Sequence, residues 1–144
     1  MKLKKHRRIG GYIPLIAIVF LLMSGYARSA EKVTLQIMYF HATIRCESCL
    51  HIEENAKNSV GLLFEKELKD STIIFRSLDF LEPENEHFAE KYDFTNQTLI
   101  ISKMVNGKEI KWKNLDKIWE FSNDFESFKE YLRKEVDLML NSNN

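Results

Sequence analysis

The chain is poor in the residues that break or staple a backbone. It has two Cys, two Pro and five Gly in 144 residues. That excludes a disulfide-dense miniature scaffold, and also a collagen-like or Pro/Gly-rich disordered chain. No G-x-G-x-x-G occurs, so the dinucleotide-binding fingerprint is missing. Net charge is missing too, since 21 Lys and Arg balance 21 Asp and Glu. The balance hides a division. Residues 1–30 hold Lys2, Lys4, Lys5, Arg7, Arg8 and Arg28 and no acid, which leaves 15 basic and 21 acidic residues, a net of −6, in 31–144. A segment of that sign lacks the positive footprint of a nucleic-acid binder. No internal repeat and no low-complexity stretch is present.

Residues 1–30 read as a targeting segment. A basic stretch, residues 1–8, is followed by an uncharged run at 13–23 (IPLIAIVFLLM) and then by small residues. Positive, apolar, small is the order of a secretory signal peptide, and Ala27-x-Ser29 resembles its cleavage site. The alternative is an uncleaved N-terminal membrane anchor. A spanning helix needs ~20 apolar residues, whereas the eighteen uncharged residues 9–26 include three Gly, a Pro and a Ser. Either reading places 31–144 outside the cytoplasm, where a dithiol can become a disulfide.

Residues 31–144 are enough for one domain and carry nine of the ten Phe and both Trp, enough for a real core. Residues 33–40 (VTLQIMYF) are β-branched and aromatic with partial alternation, which predicts a strand. From Cys46 the pattern turns helical: Cys49, Ile52, Ala56, Val60 and Leu63/Phe64 recur at three- and four-residue steps, with Glu53, Glu54, Lys57 and Asn58 between them. Residues 71–78 predict a second strand and 84–92 a short helix. Residues 98–105 and 109–113 predict two strands joined by Asn106-Gly107, the strongest short hairpin signal. Asn114 is the expected cap of a short helical piece over 115–121. Asn123 with Glu126 resembles a capping box for a last helix, which buries Phe125, Phe128, Leu132, Val136 and Met139; the tail from Asn141 is expected to fray. The order β-α-β-α-β-β-α predicts a three-layer α/β/α domain with a mixed central sheet. That layout is the thioredoxin-like one.

Both cysteines fall in one motif, Cys46-Glu47-Ser48-Cys49, between the first strand and the first helix. A helix N-terminus offers unpaired N–H groups and partial positive charge, which favour a thiolate at Cys46. The i, i+3 spacing lets Cys49 close a disulfide onto it. Arg45 adds positive charge just before the motif; Glu47 acts in the opposite sense, and with Ser48 tunes the pair. The plainer alternative is an inert structural bridge, but one closing so short a loop constrains the unfolded chain little. A second functional alternative is a soft metal ion or trivalent arsenical held by Cys46 and Cys49, with His41 joining if its loop folds back. A zinc site would want four ligands, and His51 points away from Cys46 on the helix. CxxC-x-H is not the haem-attachment motif. His87 reads as a solvated residue. Asn96-Gln97-Thr98 matches a glycosylation sequon, discounted because Thr98 is expected to begin a strand.

Three segments carry a family resemblance. Tyr39-Phe40-His41, Thr43, Arg45 and then Cys46-Glu47-Ser48-Cys49 resemble the first motif of a small exported bacterial thioredoxin-like family, the F-type family of nitrophenyl compound nitroreductase. Residues 78–88 (LDFLEPENEHF) and 112–120 (WKNLDKIWE) are similar to two further segments of it. The resemblance implies a periplasmic or otherwise extracytoplasmic thioredoxin-like domain that exchanges thiols and disulfides with exported proteins. It implies Cys46 as the attacking thiol, Cys49 as the resolving thiol, and no cofactor beyond their disulfide. Two departures from ordinary thioredoxins stand out. Gln97 stands before Thr98 where a cis-proline would face the CxxC, so a trans bond is expected there and substrate pairing is expected to differ. The first strand holds no carboxylate, so deprotonation of Cys49 is left to water, His41 or another group.

Overall fold

A computed structural model describes residues 31–142. The signal or anchor reading of residues 1–30 lies outside the described residues. Strand β1 (Val33–His41) is buried on both faces. Leu35, Ile37 and Tyr39 point to one side and Met38 and Phe40 to the other, all fully buried. Such a strand belongs at the centre of a sheet covered on both sides. It pairs in parallel with β2 (Ile73–Asp79) and antiparallel with β3 (Thr98–Val105), and β3 pairs antiparallel with β4 (Lys108–Asn114). The sheet order is β2-β1-β3-β4.

Helix α1 (Glu47–Leu63) brings Ile52, Ala56 and Val60 against Leu35, Ile37 and Tyr39. The last helix, α4 (Phe125–Asn141; α2 and α3 are the short pieces described below), adds Phe128, Leu132, Val136 and Met139 to the same core. On the opposite face the short helix α3 (His87–Lys91) and its flanks set Phe88, Tyr92 and Phe94 against Met38, Phe40 and Ile100. The result is the expected thioredoxin-like α/β/α arrangement, with one parallel and two antiparallel pairings. At the β3–β4 turn Asn106 has φ 52° and Gly107 φ 81°. Both sit in the left-handed region that a two-residue hairpin of this kind requires. Among the described residues no helix is long and apolar enough to cross a membrane.

Several local expectations are corrected. The first helix stops at Leu63, at the buried Phe64 rather than at Gly61, and a separate five-residue helix α2 (Glu65–Lys69) follows. Strand β2 starts at Ile73 because Ser71 takes a positive φ of 62°. The helix expected over 84–92 shrinks to α3, because Asp79 accepts from the Leu81 amide and Asn85 donates to the Asp79 carbonyl, holding 79–85 in turns. Asn114 ends β4 and accepts from the Thr98 hydroxyl; it does not cap the short 3-10 turn Asp116–Trp119. The cap of α4 is Asp124, which accepts from the Ser127 amide at 3.0 Å, rather than Asn123 with Glu126. Phe125 is only half-buried, and α4 continues through Asn141.

One buried charge ties the sheet to the last helix. Lys103 of β3 is buried, and its ammonium donates to the carbonyls of Leu140 and Ser142 at 3.2 and 2.8 Å. It thereby satisfies carbonyls at the end of α4 that have no intrahelical partner, where the helix dipole favours a cation.

This packing has measurable consequences. Leu132→Ala should cost about 2–5 kcal/mol in urea unfolding, as buried Leu truncations do, while Leu62→Ala, 69% exposed, should stay within about 0.5 kcal/mol of the parent. Burial pushes the Tyr131 phenol from its ordinary 10 up to about 12, with Glu135 and Asp116 adding to the effect. The folded chain therefore holds that proton longer than the unfolded chain. The stability it contributes is fully present below pH 10 and is lost as pH rises towards 12. Subtracting the tyrosinate absorbance of Tyr131→Phe from that of the parent should leave a step centred near 12, not 10.

Candidate functional site

The parallel β1–β2 pair aims both strands at one end of the sheet. There β1 ends at His41, the chain crosses residues 42–46, and α1 begins. Cys46 is the N-cap of α1. Its backbone is extended, its carbonyl accepts the first helical bond from the Leu50 amide, and its Sγ accepts from the Cys49 amide at 3.2 Å. Cys46 and Cys49 are joined as a disulfide, with Cα atoms 5.1 Å apart. The two sulfurs belong to unlike surroundings: Cys46 is exposed, whereas Cys49 is only 2% exposed. Ile44, two residues before Cys46, is 89% exposed and leaves an apolar side chain beside the motif.

Behind the disulfide lies a polar cluster that joins four segments. Arg45 Nη1 donates to Glu53 Oε2, and Nη2 lies 2.6 Å from His41 Nε2. A guanidinium only donates, so Nε2 of His41 accepts, and its Nδ1–H donates to the Ala42 carbonyl at 3.0 Å. Glu53 Oε1 accepts from the Ser77 hydroxyl of β2 at 2.5 Å. The buried Tyr39 hydroxyl donates to the Cys49 carbonyl at 2.9 Å. Burial pushes the Tyr39 phenol up to about 12; Glu53 adds to the rise and Arg45 opposes it. Asp79, the β2 register partner of His41, is held below the ordinary carboxylate range by the Thr43 hydroxyl and the Leu81 amide, with Arg45 adding.

Each residue singled out from the sequence has a place here. Thr43, His41 and Arg45 belong to the polar cluster. Arg45 is committed to Glu53 and His41, so its positive charge is already partnered. Glu47 and Ser48 occupy the exposed first turn of α1. Gln97 precedes β3 through a trans bond, and no cis bond occurs among the described residues. Gln97 and Thr98 line a depression of about 230 Å³ with Asp93, Asn114, Asp116 and Trp119, which neither cysteine lines. Thr98 begins β3 and is buried, which removes it from any sequon reading. His41 is not brought to the cysteines as a third ligand, because its acceptor nitrogen faces Arg45. Among the described residues no group of three or more His, Cys, Asp or Glu is arranged to hold a metal. His51 and His87 are exposed and stand apart. The largest groove, about 670 Å³, lies along the second half of α1 against Leu68 and Phe75, not at the disulfide. Sequence reasoning missed Glu53, Ser77 and the Tyr39 hydroxyl. The one available signal was Glu53 itself, four residues past Cys49 and opposite in charge to Arg45.

No protein-family model and no curated protein matches the chain. Among solved structures it is similar to a thioredoxin from Fasciola hepatica at 20% identity, over 69% of this chain and 80% of that one, with a TM-score of 0.40. A thioredoxin from Trypanosoma brucei brucei is 19% identical over 72% and 76% of the two chains, TM-score 0.40. One from Thermus thermophilus is 16% identical over 73% and 75%, TM-score 0.43. At these scores the fold assignment rests on the chain's own strand order and helix placement. The described residues form a thioredoxin-like α/β/α domain with a CxxC disulfide at the N-terminus of α1.

Proposed function

We propose that the chain is an exported thiol–disulfide oxidoreductase acting on extracytoplasmic protein thiols or disulfides. The observation that carries this reading is the asymmetry of the disulfide: an exposed Cys46 at a helix N-terminus and a buried Cys49 one turn on. In the reduced state the Cys46 thiolate keeps the Cys49 amide as a donor, and the positive end of a 17-residue helix favours the anion. It attacks a partner disulfide, one partner sulfur leaves as thiolate, and a mixed disulfide forms on Cys46. Cys49 then attacks Cys46 Sγ, the Cys46–Cys49 bond forms, and the second partner sulfur leaves. In the reverse direction a partner thiolate attacks Cys46 and Cys49 is the leaving group. The exposed Ile44 suits a partner that presents apolar surface. Export rests on the basic, apolar, small order of residues 1–30. The three segments at 39–49, 78–88 and 112–120 support kinship with the F-type nitroreductase family. That kinship concerns the thiol chemistry, not reduction of nitro groups by this chain.

Trapping and potential test this reading on the full chain. Cys49→Ser should accumulate mixed disulfides with exported proteins, and Cys46→Ser should accumulate none. Equilibration with glutathione buffers should give a potential between about −120 and −270 mV, with the upper end marking an oxidant and the lower a reductant. A value below about −300 mV, with no trapping, would mark a structural bridge and end the proposal.

A further inference from the structure

Release of the mixed disulfide needs a deprotonated Cys49, and that thiol is 2% exposed. Bulk water has no ready access to it, so a neighbouring side chain must take the proton. The titratable and charged groups around it are Tyr39 and His41 on β1, Arg45 in the loop, Glu53 on α1 and Asp79 on β2. Tyr39 is held protonated and already donates to the Cys49 carbonyl. The acceptor nitrogen of His41 is taken by Arg45. Asp79 is occupied by Thr43 and the Leu81 amide.

Glu53 differs from all of these. It follows Cys49 by four residues on the same helix, so the two Cβ atoms are about 5–6 Å apart on one face. Helical side chains lean towards the N-terminus, which carries the Glu53 carboxylate over the turn that holds Cys49. Its bond to Arg45, the residue before Cys46, fixes it at that level. Each carboxylate oxygen has two acceptor sites. Arg45 takes one on Oε2 and Ser77 one on Oε1, so acceptor capacity is left over.

Resting on the oxidoreductase reading, we infer that Glu53 takes the proton of Cys49 when that thiol attacks the mixed disulfide on Cys46, with Arg45 and Ser77 as positioning residues. The S–H bond of Cys49 breaks and its proton passes to the carboxylate. The sulfur's electron pair forms the bond to Cys46 Sγ, and the bond from Cys46 to the partner sulfur breaks. The partner leaves as thiolate, and Glu53 returns its proton to solvent.

Mixing the reduced full chain with the aromatic disulfide dithiobis(nitrobenzoate) reads both steps in one trace. Attack by Cys46 releases one coloured thiolate at a rate proportional to reagent, and attack by Cys49 releases a second at a rate independent of it. In the parent the second phase should be nearly flat with pH around neutrality, since the base is built in. In Glu53→Gln it should be slower by about 10²-fold at neutral pH, and should recover by about tenfold per pH unit as hydroxide takes over the deprotonation, while the first phase is no slower than in the parent. Glu53→Asp, which keeps a titratable carboxylate, should keep the flat profile. An unchanged second phase in Glu53→Gln, an equal slowing at every pH, or a steep profile in Glu53→Asp would each overturn the inference. A parent chain without a first phase would instead overturn the oxidoreductase reading itself.

Discussion

The packing of α1 onto the odd-numbered side chains of β1 determines where everything else in the site lies. Ile52, Ala56 and Val60 seat the helix on Leu35, Ile37 and Tyr39. Because β1 is buried on both faces, it cannot shift register without turning apolar side chains towards the wrong layer. The end of β1 and the start of α1 are thus held at one end of the sheet, and residues 42–46 must bridge them. Cys46 caps the helix because it is the last residue of that bridge, and Cys49 is buried because it is the first residue of the helical stripe that faces the core.

The charges around the disulfide are arranged in opposition to a simple electropositive pocket. Arg45 lies next to the nucleophile in sequence, yet its guanidinium is turned back to Glu53 and His41. What favours a thiolate at Cys46 is therefore the helix terminus and the Cys49 amide, groups that carry no counter-ion. The ion pair serves as a clip instead. It joins the loop to the end of β1 and to the second turn of α1, and through Ser77 to β2. Three segments distant in sequence are fixed to one another by a single carboxylate.

What the sequence disclosed was whatever chemistry is local. Cys46 and Cys49 were legible because a CxxC needs only a strand before it and a helix after it. Asn106-Gly107 was legible because positive φ at both residues is a property of those residues. The two-sided burial of β1 was legible from its run of apolar residues. Glu53 was not, since helical periodicity assigns it to the polar face between Ile52 and Ala56; only the fold brings Ser77 and Arg45 to it. The cap of α4 was misplaced by one residue because Asn123/Glu126 and Asp124/Ser127 offer competing caps with the same spacing, and the choice depends on how the chain enters from Phe121. The helix over 84–92 was overdrawn because the Asp79 and Asn85 side chains capture the backbone in turns before helix can form.

Lys103 gives the C-terminal helix a role beyond covering the sheet. Its ammonium sits inside the domain and is solvated only by the carbonyls of Leu140 and Ser142. The end of the chain thus serves as the hydration shell of a charge rooted in the central sheet. Fraying of the last turn would not merely expose a few residues; it would strip a buried cation of its ligands, at an electrostatic cost borne by β3. The same strand begins at Thr98, beside Phe40 near the end of β1. The closing turn of the chain and the strand that enters beside the disulfide are therefore held by one continuous piece of backbone.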